Sequence, residues 1–136
     1  MGKKKNIIIG CDSFSFRVMR LLFQFKNDII LIGDNNKIFE NEKFFLNKSL
    51  TAAVITKYNN ILENLNFVNK NIESVFICLP ELLNESILLV SEFKELLVEK
   101  IYVEVDSDIK YEIFKKIGGV NVVYPGKDET LKILET

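Results

Sequence analysis

Near the amino terminus an unbroken apolar run, Ile7-Ile8-Ile9, ends in Gly10 and gives way to Cys11-Asp12-Ser13-Phe14-Ser15 and then to an amphipathic stretch. A second run, Ile29-Ile30-Leu31-Ile32-Gly33, ends in Asp34, 24 positions after Gly10 (34 − 10). Apolar runs without alternation need both faces of a strand covered, which a parallel sheet sandwiched by helices provides. Strand, tight turn, helix, strand and terminal acid at this spacing is the layout of a dinucleotide-binding βαβ unit. That layout carries three glycines. Only Gly10 is present, and Asp12 and Ser15 stand where the second and third belong.

The rest of the chain keeps the alternation. The patterns predict strands at about Lys5–Gly10, Asp28–Ile32, Ala52–Thr56, Ser74–Leu79, Lys100–Val105 and Val120–Tyr124. Between them, Phe14, Val18, Leu21, Leu22 and Phe25 make one face of a helix over Ser13–Phe25. Ile38–Leu46 reads as a short helix, and Ile61, Leu62, Leu65 and Val68 suggest another, with Asn59 and Asn60 as cap candidates. A longer helix spans about Leu82–Val98. Its apolar residues (Leu83, Ile87, Leu88, Val90, Phe93, Leu96, Leu97) wrap much of its surface, as in a deeply packed or interfacial helix. Asp108–Ile117 carries the stripe Ile109, Ile113, Phe114, Ile117 and is stopped by Gly118-Gly119. Pro125-Gly126 turns the chain into a final helix over Asp128–Glu135. The expected fold is α/β: a Rossmann-like, doubly wound, parallel six-stranded sheet with helices on both faces, in a single domain over residues 1–136.

Composition narrows the function. Of 136 residues, 48% are apolar and 27% charged, with a net charge of −1, so no overall field favours nucleic acid or anionic lipid. Lys3-Lys4-Lys5 is a local basic run at a solvated terminus. No apolar run approaches the roughly 20 residues that cross a bilayer, and Asp12 interrupts the one stretch resembling a signal peptide, so a cytoplasmic protein without direct membrane insertion is expected. The chain has no histidine and two cysteines, Cys11 and Cys78. This leaves no His-based general base and no structural zinc set of Cys and His, so no metal site is expected. The cysteines read as reduced thiols in or beside neighbouring strands. The abundance of Asn, Lys and Ile with only two alanines points to base-composition bias rather than functional tracts.

Several residues carry two readings. Asp12 sits where a helix N-terminus attracts anions. It either caps the helix itself in place of a phosphate, helped by Ser13 or Ser15, or belongs to a shifted loop that still takes nucleotide through a cation. Asp34 is either a ribose-binding acid, which disfavours a 2′-phosphate and hence NADP, or a turn acid beside Asn35-Asn36. Lys57 either pairs with a phosphate or is solvated at a strand end. Glu104, Asp106 and Asp108 have the look of a hard-cation cluster, against the alternative that Asp106 or Asp108 caps the next helix.

Three stretches resemble the N-terminal RCK domain (regulator of potassium conductance) of the Trk/Ktr potassium-uptake regulators. Ile7–Phe16 matches the family's glycine loop, with Gly10 and Phe14 kept. Ile30-Leu31-Ile32-Gly33-Asp34 matches its second strand and ribose-binding acid. Phe114–Pro125, with Ile117-Gly118-Gly119-Val120-Asn121, resembles its L-x-x-x-G-A-D-x-V-I-x-P segment and is the most specific of the three. Departures are Asp12 and Ser15 in the loop, Thr56-Lys57 in place of Gly-Asp, Glu104 near an often basic position and Gly126 after Pro125. The family's C-terminal ligand-binding lobe is expected to be absent.

The resemblance implies a non-enzymatic regulator on the cytoplasmic face of a membrane potassium channel or transporter subunit. It would form a homo-oligomer (a dimer, or a higher ring) and respond to an adenine nucleotide, ATP/ADP or NAD/NADH. The nucleotide-contacting candidates are Gly10, Asp12, Ser13, Phe14, Ser15, Asp34, Asn35, Thr56, Lys57 and Leu79. The alternatives are a degenerate assembly module that has lost its ligand and, less well supported for want of a substrate domain and of a histidine, an NAD-linked oxidoreductase domain.

Overall fold

The computed structural model describes residues 5–24, 28–33, 50–55 and 71–127. Six strands, β1 (Lys5–Ile9), β2 (Asp28–Gly33), β3 (Leu50–Ile55), β4 (Ile72–Ile77), β5 (Lys100–Glu104) and β6 (Asn121–Val123), form one sheet in the order β3-β2-β1-β4-β5-β6. Every pairing is parallel. β1 is central: Ile7 lies opposite Ile30 on one side and Val75 on the other. The chain leaves β3 for the far side of β1, so the strand order reverses between β1 and β4. In sheets of this kind, ligands bind outside the carboxyl ends of the strands at such a reversal.

Strand periodicity assigns the two faces. Ile7, Ile9, Ile30, Ile32, Val75, Ile77 and Val103 point to one side, where they meet Leu89, Val90 and Phe93 of α2 (Leu83–Glu95) and Phe114 of α3 (Asp108–Ile117). Ile8, Ile29, Leu31, Phe76 and Cys78 point to the other, against Phe14, Val18 and Met19 of α1 (Ser13–Gln24). Ile7, Ile8 and Ile9 are all fully buried, as an unbroken run requires. At roughly 1.5–3 kcal/mol for each such side chain, this central strand is a main source of stability. Phe76 and Tyr102, opposite each other on β4 and β5, stack at 4.5 Å and 6°.

Three expectations change. The buried stripe of α1 is rotated by about one position: Met19 is fully buried and Ser15 lies beneath the helix, while Leu21 is half-buried. α2 stops at Glu95 rather than Val98, because Leu97 turns left-handed (φ 62°). The Leu97 amide then donates to Lys94 O (2.9 Å) and that of Val98 to Phe93 O (3.1 Å), a Schellman closure seated on the Phe93–Val98 apolar contact. This leaves Leu88, Leu96 and Leu97 exposed, so α2 is packed along one side only. In α3 only Phe114 of the expected stripe is buried, and Ile109 is 75% exposed. The helices expected at Ile38–Leu46, near Ile61–Val68 and at Asp128–Glu135 lie outside the described residues. Among those described, no helix is long and apolar enough to cross a membrane.

Candidate functional site

At the carboxyl edge β1 runs into Gly10, whose φ of +125° is a conformation that side chains rarely adopt. A Cβ there would stand 2.2 Å from the Cys78 carbonyl oxygen. Gly10 is thus required by the close approach of the chain after β1 to the chain after β4, before any ligand is considered. The backbone bonds Gly10 N to Ile32 O and Cys78 N to Ile9 O (both 2.8 Å) carry the sheet into this turn.

Asp12 then caps α1. Its Oδ1 accepts from the Ser15 amide (2.8 Å), and its carbonyl accepts from Ser15 Oγ (2.8 Å) and the Phe16 amide (3.2 Å). The side chain therefore occupies part of the anion-attracting end of the helix. Ser13 is exposed, whereas Phe14 and Ser15 are buried beneath the helix. Leu79, after β4, is also buried, and its carbonyl accepts from Leu82 N (3.0 Å) and Ser86 Oγ (3.2 Å). Gly10, Asp12, Ser13, Phe14, Ser15 and Leu79 thus gather at the edge of β1 and β4. Asp34, Asn35, Thr56 and Lys57 lie outside the described residues, although β2 and β3 end at this same edge.

Glu104, the last residue of β5, comes to the same place. It does not join Asp106 and Asp108, as their closeness in sequence suggests. Asp106 pairs with Lys110 (2.9 Å), whose ammonium also reaches Pro80 O (2.6 Å), and Asp108 is 4.0 Å from Lys127. Nor does either aspartate cap α3: Ser107 does, accepting from the Lys110 amide (3.3 Å). Glu104 instead faces Asp12 and Cys78, and ligand atoms of the three all lie within 4.8 Å of one another.

Burial pushes the Glu104 carboxyl up from 4.5 to about 9. A hydrogen bond with the Asp12 carboxyl and repulsion by Asp12, Glu81 and Asp106 add to this. At neutral pH Glu104 is therefore protonated and uncharged. Burial likewise pushes the Cys78 thiol well above its usual range, helped by Glu104, Asp12 and Cys11. Neither Cys11 nor Cys78 is in a disulfide. Cys78 and Glu104 carry a signal that sequence reading passed over: Glu104 ends β5 and Cys78 is the first residue past β4, both at the edge where such sheets place their ligands.

A cavity lined by Asn6, Leu22, Glu73, Ser74, Lys100 and Tyr102 lies away from this edge, toward the amino ends of β1 and β4. On α3, Tyr111 and Lys115 stand at Tyr-x-x-x-Lys spacing. There they make a cation–π contact with each other (5.3 Å), and the Tyr111 side chain packs against the core.

Comparison with known proteins agrees with this architecture. The Ktr system potassium uptake protein A of Bacillus subtilis (strain 168) is 24% identical over 139 aligned residues, which take in 100% of this chain and 61% of that protein. The chain thus spans less than two thirds of that relative's length. The family model of the TrkA-N domain matches residues 6–125, from the second residue of β1 through the turn after β6. With the sheet order, the Gly10 turn and this match over most of its length, the chain belongs to the TrkA-N domain family.

Proposed function

We propose that the chain is a non-enzymatic, cytoplasmic regulatory domain or subunit of a membrane potassium channel or transporter. In this reading it works as a homo-oligomer and responds to an adenine nucleotide at the carboxyl edge of β1 and β4. The observation that carries the reading is the Gly10 turn into the N-terminus of α1 at the strand-order reversal of a TrkA-N sheet. A regulator of this kind needs only a ligand that binds two assembly states unequally. The candidate contacts are Gly10, Asp12, Ser13, Phe14, Ser15 and Leu79, together with Asp34, Asn35, Thr56 and Lys57, which follow β2 and β3 in the sequence.

A second reading has a specific observation behind it. The Asp12 carboxyl takes the seat that a pyrophosphate would use, with Glu104 packed beside it. The site would then have lost its nucleotide, and the domain would serve assembly alone.

Thermal unfolding with about 1 mM ATP, ADP, NAD or NADH, each with and without magnesium, separates the two. A ligand at about 100 times its Kd adds roughly 2.7 kcal/mol and raises Tm by several degrees. A selective shift supports nucleotide regulation and identifies the ligand class. No shift with any of them, in a folded oligomer, supports the assembly reading. If the seat is merely blocked, Asp12→Gly restores a shift that the parent chain lacks.

A further inference from the structure

Asp12, Cys78 and Glu104 arrive from three separate segments: the turn after β1, the first residue past β4 and the last residue of β5. Cys78 is 3% exposed and Glu104 8% exposed, whereas Asp12 is half-buried and forms the solvent side of the cluster. The Glu104 carboxyl meets Asp12 through its other oxygen, and among the described residues Oε1 is buried with no hydrogen-bond partner. A buried acceptor left in that state costs about 1–3 kcal/mol, and a bound Lewis acid would relieve it.

The geometry points to a site for a borderline divalent transition-metal ion, of the zinc class, held by Asp12, Cys78 and Glu104 at the carboxyl edge of the sheet. The donor set decides the class of ion. A thiolate sulfur suits zinc, cobalt or cadmium, while magnesium and calcium take all-oxygen shells. Glu104 and Cys78 hold their protons in the metal-free fold, and the ion displaces both to solvent on binding. Two carboxylates and one thiolate then give three protein ligands, which leaves a tetrahedral ion one open position. Metal–ligand distances of about 2.0–2.3 Å place ligand atoms roughly 3.5 Å apart, so the three groups draw together modestly from their present spread. Asp12 keeps Oδ1 on the Ser15 amide, and the rest of its carboxyl can ligate once the ion displaces the proton that Glu104 shares with it. This inference goes beyond the proposed function and does not depend on any nucleotide.

The test uses the full chain, freed of metal with a chelator, the chelator removed, and titrated with cobalt(II) in the absence of nucleotide. One equivalent is expected to produce a thiolate-to-cobalt charge-transfer band that zinc abolishes and excess magnesium does not. Cys11→Ser keeps the band and Cys78→Ser loses it. Asp12→Asn, which still caps α1 because Asn is as good a cap as Asp, weakens cobalt binding roughly tenfold or more without lowering the metal-free Tm. Glu104→Gln weakens it as well. If Cys78→Ser does not fold, the Asp12→Asn and Cys11→Ser results decide. Absence of the band in the parent chain at millimolar cobalt overturns the site. So does a band that survives Cys78→Ser, cobalt affinity unchanged by Asp12→Asn, or displacement by magnesium.

Discussion

Gly10 and Glu104 show how strongly single residues at the carboxyl edge are constrained by the fold itself. At Gly10 both the φ of +125° and the 2.2 Å approach of a Cβ to the Cys78 carbonyl act against any side chain. Gly10→Ala is expected to lower stability by roughly 2–5 kcal/mol, the sum of backbone strain and local overpacking, as read by urea unfolding. A loss below about 1 kcal/mol would mean that the two chain segments separate easily. At Glu104 the linkage sign is unusual for a carboxyl. Its folded value of about 9 lies above the ordinary 4.5, so between these limits the folded state binds more protons than the unfolded state. Stability contributed by this group is therefore complete below about pH 4.5 and lost as pH rises toward about 9, by at most about 1.4 kcal/mol for each pH unit. Urea unfolding of metal-free protein between about pH 6 and about pH 8 is expected to show this fall. Glu104→Gln should flatten it and be the more stable of the two at the alkaline end. Parallel slopes would show that Glu104 is ionised in the fold.

At the scale of elements, α3 makes a sharper test than α1 of which polar residue starts a helix. Three candidates stand in a row, and Ser107 makes the bond to the Lys110 amide while its neighbours face outward to lysines. Ser107→Ala is expected to cost about 0.5–2 kcal/mol, and Asp108→Asn about 0.5 kcal/mol or less, in chemical unfolding of otherwise identical chains. The reverse order would restore the aspartate as the cap. Six parallel strands covered on both faces were legible in the sequence because unbroken apolar runs have few other solutions, whereas the 3.6-residue stripes placed α1 and α3 without fixing which of their residues are buried. The ends of the elements were less so. Nothing local announces that Leu97 takes a left-handed conformation, because that depends on the tertiary contact of Phe93 with Val98. Nor does spacing along the chain reveal that Glu104 turns away from Asp106 toward Asp12 and Cys78: parallel strands bring together residues that are 26 (104 − 78) and 66 (78 − 12) positions apart.

For the whole molecule, the exposed apolar residues weigh on assembly. Leu88 (62% exposed) and Leu97 (84%) on and just past α2, and Ile109 (75%) on α3, belong to the two helices that cover the same face of the sheet. Leu97 is the telling case. A left-handed, solvent-facing C′ position favours glycine, and leucine there costs backbone strain on the order of 1 kcal/mol while exposing apolar surface. A fold tuned only for its own stability would not keep it, whereas burial against a second copy would repay both costs. Leu97→Gly is therefore expected to raise the unfolding free energy of the isolated chain by about 0.5–1 kcal/mol and at the same time weaken self-association in sedimentation experiments. Leu88→Lys combined with Ile109→Lys should shift the chain to monomer with a change in monomer stability of about 0.5 kcal/mol or less per site. A parent chain that stays monomeric at high concentration, or charged variants that associate as well as it does, would place the assembly surface elsewhere. A stabilised Leu97→Gly that associates normally would show that the strain serves some other contact.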